Sequence, residues 1–249
     1  MVNEMDDDNF VFCIYGFLRD MRVHNVDMGK VNKFVYVPKK RYEDNDVLVT
    51  DGELNERFKE NSTINAYDYD AKFFYEEVKK LNALRFNKSN QQPQRIMSFF
   101  KHIKESLVMF QENSEKYNDD TIIYLFRSDM GILSYDHERA KELLNKHDIV
   151  VEKTTSNGVR DFFFVFKKKN IDAFISLYDQ YKKYLVNFET REGPKPPRET
   201  PESILNYHLR EHCKKDIGTG SLMKFSWRHI CNKYCGHNRE NTKMLGADE

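Results

Sequence analysis

The dipeptide Asn157-Gly158 is the feature that most restricts the fold of this chain. It stands between two β-rich runs, and both residues tolerate the positive φ angles of the two-residue turn that joins hairpin strands. A hairpin is therefore predicted over residues 147–166. A strand is predicted before it over 121–126, and a short helix over 136–146.

An amphipathic helix predicted over 170–187 completes a central segment with the order β-α-β-β-α. This order is typical of the split βαβ arrangement, in which helices cover one side of an antiparallel sheet. That arrangement serves many unrelated functions, RNA binding among them, so it indicates a fold class and no particular function. We expect an α+β fold with antiparallel sheets and packed helices.

Further strands and helices are predicted before the central segment. Runs of β-branched and aromatic residues predict strands over 10–15, 33–37 and 47–50. Apolar residues recur at intervals of three and four over 71–84 and 95–113, which is the spacing of an amphipathic helix. With 249 residues, among them 19 Phe and 14 Tyr, the chain can bury a sizeable core.

A proline-rich stretch marks a boundary in the chain. Four of the six prolines lie within residues 193–201, where they hold the backbone extended and offer no hydrogen-bond ladder. We therefore divide the chain into an α+β body over 1–192, a stiff linker over 193–201 and a C-terminal segment over 202–249. A further division near 117–120 is left open.

The C-terminal segment predicts a pair of helices. A capping threonine followed by proline starts a first helix over about 200–215, and the glycines in 217–220 end it. Thr219 or Ser221 can cap a second helix that extends to about Tyr234. Two short helices joined by a glycine-containing turn form a unit similar to a helix-turn-helix.

The local charge of this helix pair favours nucleic acid as its partner. The whole chain has 40 basic and 40 acidic residues, but residues 203–239 carry seven Lys and Arg against two carboxylates. We predict that the residues that contact phosphates and base edges are Arg210, Lys214, Lys215, Lys224, Arg228, His229, Asn232 and Lys233. The alternative is that both helices pack on the body and turn a basic face to water.

Four of the eight histidines and three of the four cysteines lie within residues 204–237, which raises the question of zinc. His208 and His212 are four apart on one predicted helix, and two cysteines are four apart on the next. Antiparallel packing would separate these pairs by about 10 Å, too far for one zinc ion. A chain that folds back after the second helix could instead assemble the set Cys213 (or His212), Cys231, Cys235 and His237. Otherwise these are core or boundary residues.

A second metal hypothesis concerns Asp68, Asp70, Glu77 and Lys79. Their order resembles the acidic pair and ExK arrangement by which many nucleases hold a divalent metal. The alternative is the exposed face of a helix, where Glu and Lys are solvated and paired along the surface. The sequence contains none of the motifs GxxxxGK, GxGxxG, HExxH, GxSxG or CxxC, so no enzyme class is identified.

Three features predict the compartment. The acidic N-terminus lacks the charge of a signal peptide, no apolar run approaches the roughly 20 residues of a membrane helix, and the four cysteines lack disulfide spacing. We expect an intracellular protein of a reducing compartment, cytoplasm or nucleus, without a membrane partner. Its rich use of Phe, Tyr, Asn and Lys is typical of AT-rich genomes, such as those of many viruses.

These observations lead to three hypotheses. The first is a nucleic-acid-binding accessory protein that acts through the basic C-terminal helices. The second is a structural protein that assembles into homo-oligomers through its aromatic and charged surface. The third is a metal-dependent nuclease.

Overall fold

A seven-stranded β-sheet lies at the centre of the protein. The computed structural model describes residues 10–18, 31–39, 48–58, 60–82, 93–129, 131–156 and 158–226. The strands are β1 (Phe10–Tyr15), β2 (Lys33–Pro38), β3 (Ser62–Tyr67), β4 (Ile122–Arg127), β5 (Gly131–Tyr135), β6 (Ile149–Val151), β7 (Thr154–Thr155), β8 (Gly158–Val159), β9 (Phe163–Lys167), β10 (Ile217–Thr219) and β11 (Met223–Ser226). The helices are α1 (Asp51–Phe58), α2 (Ala71–Lys80), α3 (Pro93–Glu112), α4 (His137–Leu144), α5 (Asp172–Ile175), α6 (Leu177–Thr190) and α7 (Pro201–Tyr207), which a π-helical turn continues over His208–His212.

The order of strands in the large sheet is β10-β6-β9-β4-β1-β2-β3. Strands β3, β2, β1 and β4 are mutually parallel, and β10 is parallel to β6. Strand β9 runs antiparallel to both of its neighbours, β4 and β6. The α+β class is confirmed, but the sheet is mostly parallel where the sequence led us to expect antiparallel sheets.

The parallel arrangement follows from burial on both faces. Strands β1 and β2 are buried at every position, as strands are when helices cover both sides of a sheet. Alternate residues of β1 enter two separate cores: Val11 and Cys13 face helices α2, α3 and α5 to α7, whereas Phe12 and Ile14 face α1 and α4. The described residues therefore form three layers, helices on each side of the sheet. None of the helices in the described ranges is long and apolar enough to cross a membrane.

The predicted hairpin is confirmed. Strands β6 and β9 pair antiparallel, and between them β7 and β8 form a two-stranded extension in which Thr155 pairs with Gly158. Strand β4, helix α4, the hairpin and helices α5 and α6 give the predicted β-α-β-β-α order, with β5 added before α4.

The second predicted C-terminal helix is wrong over its described part, residues 221–226. Before it, residues 217–219 of the predicted turn become an outer strand of the large sheet, where Ile217 pairs with Ile149 of β6. Residues 223–226 form β11 and pair with β5. The reason is tertiary: the open edges of β6 and β5 offer hydrogen bonds that outweigh the local preference for helix. The predicted helix beyond residue 226 lies outside the described residues.

The described part of the C-terminal segment packs against the body. Ile204, Leu205 and Leu209 are fully buried, and they belong to the larger of the two cores. Thr200 caps α7 by accepting a hydrogen bond from the Ser203 backbone, as the sequence predicted. Residues 193–200 thus connect α6 to a helix of the same core.

Candidate functional site

The order of strands reverses between β1 and β4. From β1 the chain moves outward to β2 and β3, and it then returns to place β4 on the other side of β1. In open α/β sheets, ligands bind in the crevice beyond the carboxyl ends of the strands at such a reversal. We call this place the switch-point crevice and define it by residues 15–17, which end β1, and 127–129, which end β4. Tyr15 and Arg127 are partners in the ladder there.

The two loops of the switch-point crevice are held together by hydrogen bonds. The Ser128 backbone N–H donates to the carbonyl of Tyr15 over 2.8 Å, and the Ser128 hydroxyl donates to the carbonyl of Gly16 over 2.7 Å. Arg57, a buried residue of α1, donates from Nη2 to the carbonyl of Ser128 over 2.5 Å. A cation from the helical layer therefore reaches the edge of the crevice.

Gly16 leaves room for a ligand. Its φ angle of +93° is one that residues with a side chain rarely adopt, and no described heavy atom lies within 4 Å of the position where a Cβ would stand. Glycine at such a place lets a ligand approach the backbone closely. The turn after β1 therefore combines a required glycine with open space among the described residues.

An ion cluster of Arg127, Asp129 and Asp161 lies at the β4 side of the crevice. Arg127 donates to both carboxylate oxygens of Asp129, from Nε over 3.0 Å and from Nη2 over 2.5 Å, and its Nη1 lies 3.8 Å from Asp161 Oδ2. Tyr15 donates its hydroxyl to the backbone carbonyl of Asp161 over 2.8 Å. These contacts join the loop after β1, the loop after β4 and the residues just before β9.

Burial and charge act against each other in this cluster. Burial acts to lower the pKa of the Arg127 guanidinium, but Asp129 and Asp161 outweigh it and raise that pKa above its ordinary value. Burial raises the pKa of the Asp161 carboxyl, and Arg127 only partly offsets this. Arg127 is thus firmly cationic and is placed against two carboxylates.

Aromatic residues line the opposite side, at the ends of β1, β2 and β3. The Phe17 ring lies 4.8 Å from that of Tyr69 and 5.5 Å from that of His102, and Tyr36 stacks on Tyr67 at 4.6 Å. Tyr67 also hydrogen bonds to His102 Nε2. Burial lowers the pKa of His102 to about 3, and burial raises the pKa of Tyr36 to about 12, so both are neutral at physiological pH.

The sequence missed most of this site. Arg127, Ser128 and Asp129 were not recognised as candidate site residues. The signal present was positional, since polar residues directly follow buried strands. It could be used only once the order of the strands was known.

The described His and Cys residues of the zinc hypothesis contact protein groups near α5 and α6. His208 is fully buried, its Nε2 donates to the Ala173 carbonyl over 2.8 Å, and Tyr184 Oη lies 3.1 Å from its Nδ1. Cys213 Sγ lies 3.4 Å from His208 Nε2, and burial raises the pKa of this thiol. Over the described ranges no three His, Cys, Asp or Glu residues form a group that could hold a metal. The other three members of the zinc set, Cys231, Cys235 and His237, lie outside those ranges, so zinc stays a prediction.

The predicted nucleic-acid contacts are only partly described. Arg210 donates to Asn206 Oδ1 and to the Ile217 carbonyl, Lys215 donates to Asn170 Oδ1, and Lys214 lies 3.8 Å from Glu211. Lys224 belongs to β11. The remaining four residues, Arg228, His229, Asn232 and Lys233, lie outside the described residues. Nucleic-acid binding therefore stays a prediction.

Two of the carboxylates proposed for a nuclease, Asp70 and Glu77, have partners of their own, and Asp68 is exposed. Asp70 caps α2 by accepting from the Lys72 backbone, and Glu77 accepts hydrogen bonds from Lys80 over 2.9 Å and from Lys182 over 3.3 Å. The hydrogen bond from Lys80 is the main reason why the pKa of Glu77 is lowered. Lys79 lies 3.9 Å from Glu76 on the same helix. These contacts are those of a helix surface, and nuclease activity stays a hypothesis.

Comparison with known proteins gave similarities to solved structures. No family model and no curated protein sequence matches the chain. One of the similar structures is that of mouse xyloside xylosyltransferase 1 in its apo form, with a TM-score of 0.41 and 9% sequence identity over 85% of this chain and 84% of the other.

Proposed function

We propose that this protein binds a nucleotide in the switch-point crevice, with a nucleoside diphosphate or a derivative of one as the ligand. The observation that supports this is the reversal of strand order between β1 and β4 in a mostly parallel sheet. The sequence β3-β2-β1-β4 corresponds to the first four strands of the doubly wound mononucleotide fold, which binds its ligand at the same point.

The residues around the crevice suit the three parts of a nucleotide. A ribose hydroxyl both donates and accepts hydrogen bonds, and the neighbouring Arg127 and Asp129 offer both roles. Phe17 and Tyr69 offer ring faces and edges for a base, and stacking on an aromatic contributes about 1–3 kcal/mol per base. Phosphates would approach the backbone at Gly16, close to Arg57.

Binding can be tested by calorimetry and thermal unfolding with ADP, GDP, CDP, UDP and nucleoside diphosphate sugars. A ligand at 100 times its Kd should stabilise the protein by about 2.7 kcal/mol. Gly16→Ala, which adds a methyl group inside the crevice, should weaken binding by about tenfold or more.

Gly193→Ala is the matched control for that substitution. Gly193 also has a positive φ, +73°, but it lies beyond the end of α6. This variant should carry a similar backbone strain, together with a contact of 3.0 Å between the new methyl group and Asn187 Nδ2, and it should keep the affinity of the unmodified protein. The proposal fails if no nucleotide of the panel binds, or if Gly16→Ala binds as tightly as Gly193→Ala.

A further inference from the structure

Arg127 occupies the position between two carboxylates at the edge of the crevice. It makes two hydrogen bonds to Asp129, and its Nη1 lies 3.8 Å from Asp161. The side chains of Asp129 and Asp161 are only 7% and 20% exposed, so water screens them weakly. Arg127 is more accessible, at 25%.

Two carboxylates at this place would repel a phosphate-bearing ligand unless a cation neutralised them. In many proteins that cation is a divalent metal, which carboxylates and phosphate oxygens bind together. Here the guanidinium of Arg127 already provides a positive charge, and it cannot lose its proton in a protein. A metal ion would have to displace two hydrogen bonds from Asp129 before it could bind there.

Arg127 also keeps donors for a ligand. A guanidinium has five N–H groups, and two of those of Arg127 donate to Asp129. The Nη1 group is farther from Asp161 than a hydrogen bond allows. A phosphate or hydroxyl that enters the crevice can therefore accept from Arg127 without breaking its pairing with Asp129.

We infer that Arg127 takes the place of a metal ion beside Asp129 and Asp161 in the switch-point crevice and that a nucleotide binds there without a divalent metal ion. This inference rests on the proposed function for its ligand, but the role of Arg127 as a substitute for a metal can be tested separately. It predicts that removal of the guanidinium converts the crevice into a site that requires a metal.

The first test needs no substitution. Binding of ADP and UDP to the unmodified protein is measured by calorimetry in EDTA and again in excess Mg²⁺. The two affinities should agree within about twofold, since no metal takes part. An affinity that rises by about tenfold or more with Mg²⁺ overturns the inference.

The second test uses Arg127→Met, which keeps an unbranched apolar stem and removes the guanidinium with its charge. Asp129 and Asp161 then lose the guanidinium of Arg127, so the variant should bind Mn²⁺ in the absence of nucleotide, as followed by electron paramagnetic resonance. In EDTA it should bind ADP or UDP about tenfold or more weakly than the unmodified protein, and Mn²⁺ should restore most of this loss.

Arg139→Met is the matched control for that variant. Arg139 lies 2.6 Å from Glu142 in an exposed ion pair on α4. The substitution therefore removes the same kind of cationic partner from a carboxylate, but at the surface. It should gain no Mn²⁺ site and keep its nucleotide affinity. If Arg127→Met binds no Mn²⁺, or keeps full nucleotide affinity in EDTA, Arg127 does not substitute for a metal.

The outcomes separate the two proposals. If no nucleotide binds any variant, the proposed function fails, and Mn²⁺ binding by Arg127→Met alone still decides the role of Arg127. If nucleotide binds and the metal results are contrary, only the inference about Arg127 fails.

Discussion

His208 Nε2 donates a hydrogen bond to the carbonyl of Ala173, 35 residues earlier in the chain. Since a carbonyl can only accept, Nε2 carries the proton, and Nδ1 is the acceptor for the hydroxyl of Tyr184. Burial is the main cause that lowers the pKa of His208 to about 4. The side chain is neutral in the folded protein and joins the π-helical turn to α5 and α6.

Stability should therefore fall in acid. Below the ordinary pKa of about 6.5 the unfolded chain takes up a proton at this position while the folded chain does so only near 4, so stability is full above pH 6.5 and is lost towards pH 4. The loss is about 1.4 kcal/mol per pH unit for one histidine. His208→Gln should reduce the slope of unfolding free energy against pH by that amount in urea titrations.

Leu205→Ala is the control for this effect. Leu205 is fully buried, so its truncation should cost about 2–5 kcal/mol at every pH without changing the slope. A His208→Gln protein with the original slope would show that His208 does not contribute to acid sensitivity.

A pair of glycine substitutions should change stability in opposite directions. A Cβ at Gly158 would overlap the carbonyl oxygen of Glu202, and φ there is +125°. Gly158→Ala should therefore destabilise the protein by about 2 kcal/mol or more. At Gly52, within α1, the nearest atom to a Cβ is Thr50 Oγ1 at 3.9 Å, so Gly52→Ala should stabilise by about 0.5–1 kcal/mol. Denaturation midpoints of both variants measure this; equal midpoints would contradict the close packing of β8 on α7.

The first 200 residues should not fold by themselves. A fragment that ends there lacks Ile204, Leu205 and Leu209, each fully buried and each contributing about 1.5–3 kcal/mol. That sum is comparable to the whole stability of a domain, about 5–15 kcal/mol. Circular dichroism during urea unfolding should show no cooperative transition for this fragment, whereas a fragment of residues 1–226 should unfold cooperatively. A shared midpoint would favour the division at the proline-rich linker.

The nucleic-acid hypothesis predicts a steep inverse dependence of binding on salt, because phosphate contacts release counterions. Lys224 and Arg228 changed together to Glu should abolish binding in a mobility-shift assay. Lys72 and Lys79 of α2, changed in the same way, are the charge-matched control, and their reversal should leave binding intact. Equal binding of nucleic acid by both double variants would contradict the hypothesis.

Sequence patterns predicted the helices and strands whose formation depends on residues close together in the chain. The periodicity over 71–84 and 95–113 corresponds to α2 and α3, and the apolar runs over 10–15 and 33–37 correspond to β1 and β2. Of the strand predicted over 47–50, only an isolated β-bridge at Leu48 forms among the described residues, and α1 begins at Asp51. Thr50 and Glu53 exchange hydrogen bonds as a capping box there. That motif was visible in the sequence and would have predicted the helix.

Sequence patterns could predict neither the parallel direction of the strands nor the residues of the crevice. Strand β10 is three residues long and contains a glycine, so nothing local marks it, and only the open edge of β6 makes it a strand. Arg127 and Asp161 are separated in sequence by β5, α4 and most of the hairpin, and they meet because β4 and β9 are neighbours. A site formed by strand order becomes visible only when that order is known.

The position of β10 also affects synthesis of the protein. The partner of Ile149 in the outermost ladder is Ile217, so a nascent chain exposes one side of β6 until this late segment leaves the ribosome. During that interval the uncovered strand can pair with other polypeptides. The sheet can therefore be completed only after residues 217–219 have been synthesised, and chaperones that shield exposed strands would act on this protein up to that moment.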